Sequence, residues 1–330
     1  MLDLAIIGAG PCGLATAAAA QAAGLTYLAF DKGGVVDALT RMPLNVVFSS
    51  TPDRLEIGGV PFITQGMRPT RAELLTYYRS VARRLQLRLA LYTEVLSVER
   101  EDGGFLLHTR HVLRGRRETV TARAVVVATG YFDTPNRLGV PGEDLPKVSH
   151  YFTHGHPYYD LDVAVVGGQN SAVEAALELW RAGARVTLIH RGQDLSPKVK
   201  PWVLPDIRSR LEKGEITALF QAQVTRIEPE AVVVKVAGRE RRLPNDFVFA
   251  LTGYHAESPI LEALGVEREP DTGVPHHDPE TMETSVPGLY LAGVTAAGWD
   301  ANKIFIENGR EHGARIVAHL LGRRAAQGVL

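Results

Sequence analysis

The apolar positions of this chain gather into short, near-continuous runs rather than long alternations. The first, Leu4-Ala-Ile-Ile7, is followed by a glycine-rich turn, an alanine-rich stretch reaching Gly24, and a second apolar run over 25–31. Runs of this length bounded by glycine predict strands covered on both faces, and the longer alanine-rich stretch predicts a helix, so 1–31 reads as a βαβ unit. The plan recurs from Asp162-Val-Ala-Val-Val166, through a predicted helix to Gly183, to a predicted strand over 184–190. A further pair of runs, 124–130 and 247–253, each ends in Thr-Gly and continues into tyrosine. These predict strands that return from a β-meander to the sheet of each βαβ unit. Near the end, Val286-Pro-Gly-Leu-Tyr-Leu-Ala-Gly293 predicts one more short strand, with a helix from about Ala301 onward.

The two βαβ units define the fold class: an α/β protein of two Rossmann-like three-layer nucleotide-binding domains. The late strand belongs with the first unit, so the first domain is discontinuous, 1–137 with 255–330. The second domain, 138–254, is inserted into it.

The turns carry the chemistry. In Gly8-Ala-Gly10-Pro11-Cys12-Gly13, Gly8 permits the tight turn, Gly10 lets a pyrophosphate approach the backbone, and Gly13 allows the helix to pack closely. The helix N-terminus then faces the phosphates. Asp31, 23 positions after Gly8, ends the second strand where a carboxylate accepts hydrogen bonds from a ribose diol, with Lys32 beside it. In the second copy, Gly167-Gly168-Gln169-Asn170-Ser171-Ala172, the position 23 after Gly167 is His190, followed by Arg191. A missing carboxylate and an added guanidinium suit a ribose 2′-phosphate, which favours NADPH over NADH. Gln169 departs from the glycine pattern.

Length, 330 residues, suits two domains, and 45% apolar with 22% charged residues is ordinary for a globular chain. The net charge of −1 offers no field for nucleic acid or an anionic membrane, and no run reaches the roughly 20 apolar residues of a membrane span. The apolar stretch over 14–23 lacks the basic flank of a signal peptide, so a cytoplasmic location is expected. A single cysteine, Cys12, excludes an internal disulfide or dithiol pair. The histidines at 150, 154 and 156 fall on the expected interdomain linker and, like His276-His277, read as solvated side chains rather than metal ligands.

Four stretches, 8–14 (GAGPCGL), 48–62 (FSSTPDRLEIGGVPF), 200–207 (KPWVLPDI) and 292–309 (AGVTAAGWDANKIFIENG), resemble the bacillithiol disulfide reductases, also called bacilliredoxin reductases. These belong to the thioredoxin-reductase-like two-dinucleotide flavoproteins, and the resemblance spans nearly the whole chain. It implies FAD at the first loop, NADPH at the second, and reduction of a small-molecule disulfide. It further implies a homodimer and a bacilliredoxin-like protein partner. The cofactor contacts would come from the two loops, Asp31, Lys32, the turn at Thr129-Gly130, His190 and Arg191, and the returning segment at Gly293 and Val294. Relatives often carry aspartate where Val294 stands, so backbone groups or Asp300 would serve here. The C-x-x-C pair of thioredoxin reductases is replaced by His150-Tyr-Phe-Thr153.

Only Cys12 could then form a mixed disulfide. A helix N-terminus would lower its pKa, but a small packing residue is also needed where the flavin pyrophosphate sits. Both roles remain open, as do three other functions: a ferredoxin- or flavodoxin-NADP reductase, a flavin monooxygenase, and a non-enzymatic flavin redox sensor.

Overall fold

In the computed structural model, which describes residues 1–326, the chain begins β1 (Leu2–Ile7), α1 (Pro11–Ala22), β2 (Tyr27–Phe30), α2 (Arg71–Arg84), β3 (Leu89–Ala90), β4 (Thr93–Glu101), β5 (Gly104–His111), β6 (Arg117–Val127). It continues β7 (Val148–Ser149), β8 (Asp162–Val166), α3 (Asn170–Arg181), β9 (Arg185–Ile189), α4 (Leu204–Glu212), β10 (Thr217–Leu219), β11 (Ala222–Glu228), β12 (Ala231–Val236), β13 (Arg239–Pro244) and β14 (Phe247–Ala250). It closes with α5 (Pro259–Ala263), β15 (Leu289–Leu291), α6 (Ile306–Gly309) and α7 (His312–Ala326). Two units result: one from Met1–Thr40, Val46–Thr134 and the chain from Tyr254 onward, the other from Arg41–Asn45 and Pro135–Gly253.

The sheet of the first unit has the order β3-β2-β1-β6-β5-β4, with β15 also paired to β6. Strands β1, β2, β6 and β15 are parallel, and Ile7, Phe30, Val127 and Leu291 lie in register at their carboxyl ends. Strands β4, β5 and β6 form an antiparallel meander. Helix α1 is buried along most of its length because it lies on this sheet and beneath α7. Their approach is close enough that a Cβ on Gly313 would stand 2.5 Å from Thr16 Cα. Helix α2 starts with a reciprocal cap in which Thr70 accepts from the Glu73 amide and Glu73 accepts from the Thr70 amide.

The second unit repeats the parallel core as β10-β9-β8-β14-β7 and adds a separate antiparallel sheet, β11-β12-β13. Its uniformly apolar strands follow from cover on both faces. Val163, Val165, Leu188 and Phe249 pack towards α3, whereas Ala164, Val166, Ile189 and Val248 pack towards Val224, Ile227, Val232 and Val234 of the meander.

Three features depart from the sequence reading. The helix expected from about Ala301 is a short turn over Ala301–Lys303 followed by α6 and α7, broken where Gly309 passes against Cys12. Residues 41–45 join the second unit, where the Leu44 amide donates to the Thr153 carbonyl at 2.8 Å and the Arg41 guanidinium lies 5.4 Å from the Tyr151 ring centroid. The stretch before His150 is strand β7, so this histidine is no solvated linker residue. Its side chain is 12% exposed, with Nδ1 3.2 Å from the Ala250 carbonyl and Nε2 3.4 Å from buried Glu143. Among the described residues, no helix is long and apolar enough to cross a membrane.

Candidate functional site

The three glycines of the first loop are required for different reasons. Gly8 has φ +113°, and a Cβ there would lie 2.3 Å from the Ala128 carbonyl oxygen; one on Gly13 would lie 1.9 Å from the Gly8 oxygen. Both are fixed by the protein's own packing. Gly10 has ordinary angles, φ −71° and ψ 178°, and a Cβ there would meet nothing within 4 Å. The open space lies over the N-terminus of α1, which has Pro11 in its first turn and no side-chain cap. Free amides, a positive helix end and open space beside a glycine fit a dinucleotide pyrophosphate.

Asp31 holds this loop directly. Its Oδ2 accepts from the Ala9 amide at 2.7 Å and its Oδ1 from the Gly33 amide at 2.8 Å. Burial raises its pKa, the two amide bonds oppose that, and Asp37 and Asp133 add to the rise. Lys32 pairs with Asp133 at 2.8 Å. Thr129 is exposed on the turn after β6, and Gly130 adopts φ +74°.

The second loop repeats these contacts with different chemistry. A Cβ on Gly167, φ +147°, would lie 2.5 Å from the Leu251 carbonyl oxygen, so Ala128 and Leu251, each just before Thr-Gly-Tyr, back the first glycine of each copy. The echoed strands thus have a physical task. Where Ala9 meets the Asp31 carboxylate, Gly168 meets the His190 ring, and a Cβ on Gly168 would stand 2.5 Å from three ring atoms. The imidazole occupies the room that a side chain at 168 would need. Burial lowers the His190 pKa, with Arg191 adding to the effect and Asp194 opposing it. Gln169 and Ser171 are exposed, α3 has no side-chain cap, and Ala172 is buried in the core. Arg191 is exposed.

On the returning segment, Gly293 has φ +71°, and Cβ atoms placed on Gly293 or Gly309 would each lie 2.8 Å from Cys12 Sγ. Cys12 is therefore wedged between two glycines. Burial pushes its thiol up to about 12, with the Glu307 carboxylate adding to the rise, contrary to the lowering expected from the helix end. Val294 is half-buried, and Thr295 carries the only polar side chain of the Gly293–Ala297 turn, its hydroxyl buried without a partner among the described residues. Asp300 is exposed and caps its own turn by accepting from the Asn302 amide at 3.2 Å.

Near this segment, His312 and Arg310 carried no local sequence signal. The Gly293 amide donates to His312 Nδ1 at 3.2 Å, and burial lowers the pKa of His312 to about 4. Ser50 donates to Glu307, joining the 48–62 stretch to α6. Arg310 fastens that stretch further by donating to the Asp53 and Glu56 carbonyls at 2.8 and 2.7 Å. Among the described residues no group of three or more His, Cys, Asp or Glu side chains is placed to hold a metal ion.

The family model described as pyridine nucleotide-disulphide oxidoreductase matches residues 5–293. Bacilliredoxin reductase Bdr of Bacillus subtilis is 46% identical over 320 residues, 96% of this chain and 97% of that protein. The bacillithiol disulfide reductase Bdr of Bacillus cereus superposes with a TM-score of 0.95 at 44% identity, covering 98% of this chain and 99% of that one. Its Staphylococcus aureus counterpart gives 0.92 at 41% identity, with the same coverage. Similarity of this extent implies an oxidoreductase that uses a flavin and NADP(H). The chain belongs to the pyridine nucleotide-disulphide oxidoreductase family, among the bacilliredoxin reductases.

Proposed function

We propose that this enzyme reduces bacillithiol disulfide, or a close low-molecular-weight analogue, with NADPH, through FAD bound at the first loop. The balanced reaction is NADPH, a proton and the disulfide giving NADP⁺ and two thiols. The observation that carries this reading is the pairing of two dinucleotide loops that end in opposite charge: Asp31 at the first, His190 and Arg191 at the second. The 46% identity to a bacilliredoxin reductase supports the choice of substrate.

In this reading the FAD domain is 1–137 with 255–330, and the NADPH domain is 138–254. Gly8, Gly10, Pro11, Cys12 and Gly13 shape the flavin pyrophosphate site, and Asp31 fixes the loop through its two amide bonds. Lys32, Thr129 and Gly130 border the adenosine side, while Gly293, Val294 and Asp300 belong to the segment returning to the flavin. Gly167, Gly168, Gln169, Asn170, Ser171 and Ala172 present the second helix terminus to NADPH, with His190 and Arg191 at the ribose. Bound flavin supplies the two-electron relay between nucleotide and disulfide. Cys12, the chain's one thiol, is assigned to the mixed disulfide; in the resting enzyme it is a packed, protonated wedge. A homodimer, with a bacilliredoxin as partner protein, completes the reading.

The test mixes the flavin-loaded enzyme anaerobically with NADPH, follows flavin absorbance, and then adds bacillithiol disulfide to wild type and Cys12→Ala. Bleaching followed by reoxidation in wild type alone supports both the reaction and Cys12. Reoxidation in both keeps the reaction and leaves Cys12 as packing. A flavin that stays reduced overturns the substrate assignment and turns attention to ferredoxin and oxygen; failure to bleach points to a redox sensor.

A further inference from the structure

The two copies of the nucleotide device differ most in the segment that follows their second strand. In both, it is tied back to the glycine loop: the Val36 amide donates to the Ala9 carbonyl at 3.0 Å, and the Ser196 amide to the Gly168 carbonyl at 2.9 Å. In the second copy the tie is reinforced. The Asn170 amide group, in the first turn of α3, donates to the Lys198 carbonyl at 3.0 Å while its oxygen accepts from the Lys200 amide at 2.8 Å. Leu195 and Val199 anchor the same segment in the core, at 6% and 4% exposure. The backbone on both sides of Lys198 is thus fixed, yet its side chain is exposed.

Charge sorts the cations around this segment. Asp194 pairs with Arg208 at 2.8 Å and Glu174 with Lys200 at 2.7 Å. Arg191 and Lys198 have no carboxylate partner among the described residues. In the first copy the carboxylates of Asp37 and of Asp133, which pairs with Lys32, instead act on Asp31. The duplicated device is acidic in one copy and carries two unpaired cations in the other.

We infer that Lys198 is a specificity-determining residue that binds the 2′-phosphate of the pyridine nucleotide together with Arg191, and that Asn170 is its positioning residue. This rests on the NADPH reading given above. The Asn170 side chain acts as a clasp: it fixes the backbone at 198 and 200, so that the lysine loses little more than its own rotamer freedom on meeting the phosphate. A dianionic phosphate monoester is the ligand chemistry that two free cations on a fixed backbone accommodate, and a bare ribose diol gives them nothing to neutralise.

The test titrates the flavin-loaded enzyme with adenosine 2′,5′-bisphosphate and with 5′-AMP by calorimetry, for wild type, Lys198→Ala, Lys198→Glu and Asn170→Ala. Removing one charge-assisted hydrogen bond predicts an affinity lower by about tenfold to hundredfold for the bisphosphate in Lys198→Ala, more in Lys198→Glu, with 5′-AMP within about twofold. Asn170→Ala weakens the bisphosphate in the same direction and flattens its salt dependence. Lys198→Ala and Asn170→Ala are expected to raise KM for NADPH, with kcat held. If wild type does not prefer the bisphosphate, the NADPH reading itself fails. If wild type prefers it and Lys198→Ala keeps the full preference, the lysine assignment is overturned; if only Asn170→Ala is silent, the clasp is.

Discussion

Replacing Gly10 and Gly13 separately by alanine distinguishes a glycine kept for a ligand from one kept for the fold. At Gly10 the backbone already has alanine-compatible angles, and a methyl group would meet no protein atom within 4 Å. A weaker cap costs about 0.5–1 kcal/mol, and reduced freedom of the unfolded chain returns a similar amount, so stability without flavin should change by less than about 1 kcal/mol. The methyl would nevertheless stand where the pyrophosphate of the proposed flavin would approach. Displacing one charge-assisted amide bond, at about 1.5–3 kcal/mol, predicts FAD affinity lower by about tenfold to hundredfold. At Gly13 the methyl would lie 1.9 Å from the Gly8 oxygen, which only a backbone shift relieves. That overpacking should destabilise even the flavin-free protein by about 3 kcal/mol or more. Urea unfolding of both apoproteins, with flavin-fluorescence titration, reads the two effects apart. A Gly10→Ala protein that binds FAD like wild type would refute the assignment of the open space. A Gly13→Ala apoprotein as stable as wild type would refute the packing argument.

His312 is buried neutral with a folded pKa near 4, below its unfolded value, so the unfolded state binds more protons between about pH 6.5 and 4. Its contribution is present above that window and is lost as pH falls through it, by up to about 3 kcal/mol, and His312→Asn should flatten urea stability measured against pH there. Cys12, with its thiol pushed up to about 12, should react slowly with iodoacetamide at pH 8 in the native enzyme and fast on unfolding; rapid native labelling would refute the raised pKa. Thr70→Ala removes the reciprocal cap of α2 and should cost about 1 kcal/mol, read as a lower urea midpoint with unchanged slope.

Much of this architecture was legible because it is local and repeated. The 23-residue spacing, the glycines and the paired Thr-Gly-Tyr strand ends lie close together in sequence, and backbone geometry restricts which residues can stand there. What escaped depends on partners far along the chain. The sequence shows Asp31 at a strand end but not that both carboxylate oxygens are taken by loop amides. It shows a cysteine at a helix terminus, and the helix argument for a low pKa is sound in isolation. Glycines 293 and 309, nearly three hundred residues later, close on the half-buried cysteine, and desolvation of its thiol reverses the sign. Nothing local marks 41–45 as part of the second unit, since its ties are to Tyr151 and Thr153.

The comparison between copies separates what the fold demands from what the ligand demands. Both copies set the first glycine against the carbonyl before Thr-Gly-Tyr and tie the segment after the second strand to the glycine loop, so these contacts belong to the fold. Gly13 against Ala172 shows that the third position bends to local packing, a methyl being accommodated in one copy and excluded by the Gly8 oxygen in the other. What remains is the strand end itself, a carboxylate in one copy and an imidazole with a free guanidinium in the other. The loop changes with it, Ala9 standing beside the carboxylate and Gly168 making room for the imidazole. In the proposed reading the contrast reports the ligands, a dinucleotide with an unmodified ribose at the first loop and a phosphorylated one at the second.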